Sequence, residues 1–254
     1  MTTLITGAST GIGAEFAARF AARGDDLVLV ARSADKLESL AAELRRAHHV
    51  NVFVVPLDLA TPDATERLWT ETRRLALDID ALVNNAGFAT HGDLADADPA
   101  RLAAQIQLNC GTLVGLTNRY APAMRERGRG TIVNIASTAA FQPLPHMAVY
   151  GATKAFVLSF TEALWAELRT DGVRVLAVCP GATDTPFFEV AGEAAAAGAK
   201  RTPEQLVAQA LEALETTKPS IVDGFSNAFV SRVVTRLLPR RVLISVAERS
   251  VRAN

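Results

Sequence analysis

Thr6-Gly7-Ala8-Ser9-Thr10-Gly11-Ile12-Gly13 follows the apolar pair Leu4-Ile5 and runs into a helical pattern from Ala14 to Arg23. A buried strand, a glycine-rich turn and a helix start in direct succession read as the opening unit of a dinucleotide site. The helix N-terminus offers free N–H groups and a positive dipole end to a pyrophosphate. Gly7 suits the tight turn, Gly11 lets the backbone approach the phosphates, and Gly13 lets helix and strand pack closely. Ser9, Thr10 and Ile12 complete the stretch expected to line the cofactor. The spacing Gly-x-x-x-Gly-x-Gly departs from the common Gly-x-Gly-x-x-Gly fingerprint. No Gly-Lys-Ser/Thr follows, so a nucleotide triphosphatase is a poor reading.

Outward from this turn, strand-like apolar runs recur at Thr2–Thr6, Asp26–Ala31, Asn51–Pro56, Ala81–Asn84, Thr131–Ala136, Arg174–Cys179 and Ser220–Val222. Helical patterns fill the gaps, with long helices expected over Leu102–Glu126 and Val149–Thr170. The alternation predicts an α/β fold: a doubly wound, Rossmann-like parallel sheet with helices on both faces. With 254 residues, no internal repeat and no linker, one domain over 1–254 is expected. The net charge of −1 gives no global pull towards nucleic acid. No apolar run reaches the length of a membrane span, so no transmembrane segment is expected, and Leu4-Ile5 is too short for a signal peptide. Cys110 and Cys179 sit in apolar surroundings, which favours reduced thiols and a cytoplasmic setting. The four histidines lack zinc-ligand spacing, so no metal is expected.

The chemistry concentrates in Tyr150-Gly151-Ala152-Thr153-Lys154, with Ser137 thirteen residues upstream. On a helix, positions i and i+4 share one face, so a phenol and an ammonium would point into the same space. A phenol titrating near 10 is a poor acid or base at neutral pH, and a fixed cation nearby would lower that value.

Taken together, Thr6 to Gly13, Asn84-Asn85-Ala86-Gly87, Asn109, Ser137, Tyr150, Lys154 and Pro180-Gly181 stand in the order and approximate spacing of one family. The chain resembles the short-chain dehydrogenase/reductases, in their compact single-domain branch, from Thr2 to about Thr185. The resemblance implies a hydride-transfer enzyme. In it Tyr150 exchanges a proton with the substrate oxygen, Ser137 hydrogen-bonds that oxygen, and Lys154 lowers the tyrosine pKa and binds the nicotinamide ribose. Asn109 would hold a water linking Lys154 to solvent, or be a helix-interior residue satisfied by backbone. Asn85, Ala86 and Gly87 would lie along the cofactor, while Asn84 ties strands together. Pro180, Gly181, Thr183 and Thr185 would border the nicotinamide. Asp58, followed by Leu59, would contact the adenine, or simply make a turn. The family also implies a homodimer or homotetramer built on the two long helices, for which Leu113, Leu116, Tyr120, Phe156, Phe160 and Leu164 offer apolar surface. A cofactor-binding sensor of the same fold is the alternative, but it would have no need of all four catalytic groups.

The end of the second strand bears on cofactor choice. Ala31 occupies the place where an acid would bind the ribose hydroxyls of NAD, and Arg32-Ser33 follows. A guanidinium suits a 2′-phosphate, which favours NADP(H). The pocket is expected to draw on Phe88, Thr138, Phe141, Leu144, Met147, Phe187 and Phe188, and so to take an apolar carbonyl or secondary alcohol. The alanine-rich stretch 184–201 is either a substrate lid or an ordinary helix. The segment 226–254 holds six arginines and one glutamate, a surplus of five positive charges. Its apolar residues Phe229, Val230, Val233, Val234, Leu237 and Leu238 repeat at helical spacing. That pattern reads as a helix docked on the body or a partner subunit, or as a surface for phosphates or anionic lipid.

Overall fold

The computed structural model describes residues 1–187 and 200–251. Seven strands, β1 (Thr2–Thr6), β2 (Asp26–Ala31), β3 (Val52–Pro56), β4 (Ala81–Asn84), β5 (Gly130–Ile135), β6 (Val173–Cys179) and β7 (Ser220–Val222), form one parallel sheet. Their order is β3-β2-β1-β4-β5-β6-β7. The chain winds outward from β1 to β3, returns to β4, and winds outward again. The crevice at the reversal, outside the carboxyl ends of β1 and β4, is where such sheets bind ligands.

The helices are α1 (Gly11–Ala22), α2 (Ala34–His48), α3 (Ala64–Arg74), α4 (Pro99–Ile106), α5 (Leu113–Glu126), α6 (Ala148–Leu168) and α7 (Pro203–Leu214). They divide between the faces because successive strand residues point to opposite sides. Ile5, Leu27, Leu29, Val83, Val133, Leu176 and Val178 pack with α1, α2 and α7. Their neighbours Leu4, Val28, Val30, Leu82, Ile132 and Val175 pack with α3, α5 and α6. A sheet covered on both faces needs continuous apolar strands, the pattern that made the strands legible. Each fully buried aliphatic side chain contributes roughly 1.5–3 kcal/mol.

Polar side chains at the sheet centre are joined in a chain, although the buried Asn84 Oδ1 is left without a partner. Asn84 Nδ2 donates to Asn134 Oδ1 at 2.9 Å and Thr117 Oγ1 at 3.2 Å, and Asn134 Nδ2 donates to Thr161 Oγ1 at 3.0 Å. This links β4, β5, α5 and α6 and holds the sheet in register where the site begins.

Three expectations change. The long helix expected over Leu102–Glu126 begins at Pro99, capped by Asp98, and is interrupted by a π-helical segment at Gln107–Thr112. Leu113, Leu116, Tyr120 and Leu164 are buried in this chain's own core, so they offer no surface to a partner. Of the apolar side chains named for pairing, Phe156 is exposed and stacks on Phe160 with centroids 5.9 Å apart. Finally, the tail forms α8 (Phe225–Phe229), a π-helical turn Val230–Val234, a last turn Thr235–Leu237, and α9 (Arg240–Val251). Its apolar row is only partly docked on the chain's own body: Val234 is half-buried and Phe229, Val230, Val233, Leu237 and Leu238 are exposed, while Ser231, Leu243, Ala247 and Val251 are buried. Residues 252–254 lie outside the described residues.

Candidate active site

The glycine turn is built against the loop after β4. Gly7 has φ +63°, and a Cβ on it would meet Asn85 Nδ2 at 2.8 Å. Asn85 Nδ2 donates to the carbonyls of Thr6 and Gly7 at 3.0 and 3.1 Å, and the backbone N–H groups of Asn85 and Ala86 donate to Thr6 Oγ1. Gly13 is a packing glycine: a Cβ there would collide with the Gly7 carbonyl and the Asn85 side chain. It does not line the cleft, contrary to its expected place among cofactor contacts.

The catalytic candidates converge from three elements. Ser137 lies just beyond β5, in extended conformation at the start of the short turn Thr138–Phe141, and its Oγ accepts from the Ala139 N–H at 3.1 Å. The Tyr150 hydroxyl faces the cleft beside Ser137, whose side chain favours its ionised form. Lys154, one turn along α6, donates from Nζ to the Ile135 carbonyl at 2.7 Å and lies 5.8 Å from the Tyr150 ring centroid. Asn109 stands behind them in the π-helical segment, a feature frequent at functional sites. Its Oδ1 accepts from the Phe88 N–H at 3.2 Å. Its Nδ2 donates to the Phe88 carbonyl at 3.0 Å and to Thr153 Oγ1 at 3.1 Å. Asn109 thereby ties the loop after β4 to α6.

Electrostatically the site is governed by burial. Tyr150 is pushed up to about 12 by desolvation, which the Ser137 side chain only partly opposes. Burial also brings Lys154 down to about 8. Desolvation is the larger influence on Tyr150, and the Ser137 side chain, rather than the lysine expected to lower it, is what opposes the rise. Cys179, pushed up to about 12 by burial, is an inert core thiol.

These groups face one cleft of about 840 Å³, large enough for a dinucleotide and a small substrate. Ser137, Tyr150 and Lys154 line it, as do Ser9, Thr10, Gly11, Ile12, Arg32, Ser33, Asp58 and Leu59 at the far end. Asn85, Ala86, Gly87, Pro180, Gly181, Thr183 and Thr185 border its middle. Asp58 also makes a turn, accepting from the Ala60 N–H at 2.9 Å. Of the substrate-side candidates, Phe88, Thr138, Leu144, Met147 and Phe187 line the cleft. Phe141 does not; it packs with Leu113, Ala136, Val157, Cys179 and Val222 on the far side of its short turn. Phe188 lies outside the described residues.

Several cleft residues have no motif to announce them. Lys36 sits in the first turn of α2, four residues after Arg32, and lines the same end. Arg101 lines the mouth with its guanidinium 4.9 Å from the Phe88 ring centroid, so the rim is not purely apolar. The tail contributes Asn227, Val230, Ser231, Thr235, Ser250 and Val251. Its α9 is held there by a latch: His91 Nε2 lies 2.6 Å from the Val251 carbonyl, and His146 joins Asp93 at 2.6 Å and faces Glu248 at 4.0 Å.

The ends of segment 184–201 are tied together, and its residues 188–199 lie outside the described residues. Asp184 N–H donates to the Arg201 carbonyl at 2.8 Å, and Arg201 N–H donates to the Ala182 carbonyl at 2.9 Å. Arg201 Nε also pairs with the buried Asp223 at 3.3 Å. Burial pushes that carboxyl up, and the guanidinium opposes the shift.

A comparison with known proteins agrees with this arrangement. Residues 1–196 match the family model of the short chain dehydrogenases. The chain is 40% identical over 186 residues to sulfoacetaldehyde reductase 2 of Chromohalobacter salexigens, covering 72% of this chain and 73% of that one. It is 31% identical over 230 residues to the 7beta-hydroxysteroid dehydrogenase of Mediterraneibacter gnavus, covering 88% and 86%. Among solved structures it resembles a short-chain dehydrogenase from Sphingobium yanoikuyae in complex with NADPH. The TM-score is 0.83 at 38% identity, over 92% of this chain and 90% of that one. With a matched model over most of its length, the fold and the cleft described above, the chain belongs to the short-chain dehydrogenase family.

Proposed function

We propose that the protein is an NADPH-dependent oxidoreductase that interconverts an apolar ketone or aldehyde with its alcohol, Tyr150 acting as the proton-transfer group. The observation that carries this reading is the convergence of the Tyr150 hydroxyl, the Ser137 side chain and the Lys154 ammonium at one end of the cleft. The bound dinucleotide supplies the hydride. Tyr150, neutral well above physiological pH, is a proton donor to a carbonyl oxygen. Ser137 donates to the same oxygen as charge develops on it. Lys154, brought down to about 8, is the nearest group able to restore the tyrosine's proton.

The glycine turn and the α1 N-terminus fit a pyrophosphate: the backbone approach to Gly7 leaves no room for a side chain. At the adenosine end, Ala31 presents no carboxylate, while Arg32, Ser33 and Lys36 gather at the rim. Two cations and a hydroxyl favour a 2′-phosphate. The NADPH-bound relative from Sphingobium yanoikuyae supports the same choice. Phe88, Leu144, Met147 and Phe187 favour an apolar substrate body, and the hydroxysteroid dehydrogenase among the relatives supports a bulky one.

The direct test is loss of NADPH absorbance with a panel of ketones and aldehydes, run in parallel with NADH. No turnover with any carbonyl would return the sensor reading. Arg32→Ala should weaken NADPH binding about 10–100-fold, the loss of one charge-assisted phosphate contact, and leave NADH within about twofold. Equal affinities of the parent protein for the two cofactors would defeat the assignment. We also propose a homo-oligomer, paired through the exposed Phe156 on α6, which stacks on the half-buried Phe160. Sedimentation at micromolar concentration should give a dimer or tetramer, and a monomer there would refute it.

A further inference from the structure

We propose that the outer face of the C-terminal helices is a docking surface for an anionic lipid bilayer. The face is apolar and open. Phe225 is 89% exposed, Leu237 78%, and Phe229 and Val246 53% each. Phe225, Phe229, Val233 and Leu237 follow one another at four-residue steps, a row along α8 and its continuation, and Val242 and Val246 repeat the step on α9. A row at this spacing lies on one side of a helix. Solvent-exposed apolar rows of this extent are uncommon on monomers and mark contact surfaces.

Charge identifies what the surface contacts. Arg236 lies beside the apolar row, and Arg240 and Arg241 open α9 just beyond the break at Leu238-Pro239; Arg232 is tied to the body, its Nη2 donating to the Ser220 carbonyl at 2.9 Å. All four are exposed. No aspartate or glutamate occurs between Phe225 and Ala247. Arg236, Arg240 and Arg241 form no ion pair among the described residues. The whole chain carries −1 and residues 226–254 carry +5, so the remainder carries −6 and this end is positive against a negative remainder. Long cationic side chains flanking aromatic and aliphatic ones are the pattern of a helix lying in the headgroup region. A second copy of this chain meeting the face by two-fold symmetry would set its arginines against their own equivalents, which disfavours that occupant.

The opposite side of the same helices is already engaged. Ser231 and Val251 are buried and line the cleft with Asn227 and Thr235. The outer face is therefore free to dock without unmaking the cleft. Among the described residues no helix is long and apolar enough to cross a membrane, so the attachment is peripheral.

The test is vesicle flotation of the intact protein with equimolar phosphatidylglycerol and phosphatidylcholine, against phosphatidylcholine alone, at low and high salt. The expected result is binding to the mixed vesicles, weakened by salt and slight on the neutral ones. Phe225→Ser/Leu237→Ser and Arg236→Glu/Arg240→Glu should each lower the partition coefficient at least about tenfold. None of these four residues lines the cleft, so turnover with NADPH and a water-soluble ketone serves as the folding control and is unchanged. Absence of parent binding to either vesicle overturns the proposal, as does binding that survives both double variants. Binding that needs the arginines but not Phe225 and Leu237 overturns it in favour of an acidic protein partner. A drop in sedimenting mass for Phe225→Ser/Leu237→Ser, without vesicle binding by the parent, assigns the face to a second copy.

Discussion

Tyr150→Phe is expected to lower turnover by about 10²–10⁴-fold, the range for removal of a positioned general acid, with NADPH affinity within about twofold of the parent. The ring stays where it is because its packing does not involve the hydroxyl. Met147, Ala139 and Ala89 surround it, and Phe187 lies with its ring centroid 5.8 Å away. Loss of the hydroxyl does not strand Ser137, whose Oγ still accepts from the Ala139 N–H. Stability should therefore change little, and the loss is one of chemistry. Parallel measurements of NADPH fluorescence on binding and absorbance loss on turnover separate the two effects. A variant that turns over within tenfold of the parent would remove Tyr150 from the mechanism. Loss of cofactor binding of the same size would instead make it a structural residue of the cleft.

How much of this site was legible before the structure differs from residue to residue, for physical reasons. The strands were legible because a sheet covered on both faces demands unbroken apolar runs, and the helix starts because glycine and small polar residues punctuate them. Lys154 four residues after Tyr150 is a fixed geometric statement once a helix is granted. Apolar character alone, however, does not say which way a residue faces. Leu113, Leu116 and Tyr120 fit an interface or a core equally well, and only their packing in the folded chain decides for the core. Phe141 lies in a short turn where one residue's rotation moves a ring from the cleft to the far side. The tail showed its helical period correctly, but the period is the same whether the apolar row faces in or out. Arg101 and Lys36 stand outside any motif and reach the cleft through the packing of their helices. The π-helical segment that carries Asn109 left no mark in composition, because it differs from an α-helix by one residue in the turn rather than by residue type.

Lys154→Met should do two opposite things. Turnover is expected to fall by at least about 10²-fold, through loss of the group that resupplies Tyr150, while the cofactor-free protein becomes more stable at neutral pH. Lys154 is buried, and desolvation brings its ammonium down to about 8, against about 10.4 in an unfolded chain. The sign follows from proton counting. Between about pH 8 and 10.4 the unfolded state holds the proton and the folded state does not, so the parent's stability rises with pH across that window. Below about pH 8 both states are protonated and the full penalty of burying the charge is present, on the order of 3 kcal/mol. Methionine of similar volume removes the penalty but also removes the hydrogen bond to the Ile135 carbonyl, a loss of about 1 kcal/mol. The net expectation at pH 7 is a gain of about 1–3 kcal/mol for the variant, shrinking as pH rises and gone or reversed above about pH 10.4. Tyr150 and Cys179, pushed up to about 12, titrate above this window, so the difference between the melting temperatures of the two proteins across it reports chiefly on this lysine. A difference that stays constant from pH 7 to 10.5 would mean that the ammonium is not desolvated in the fold, and the proton-resupply role assigned to it would fall with that.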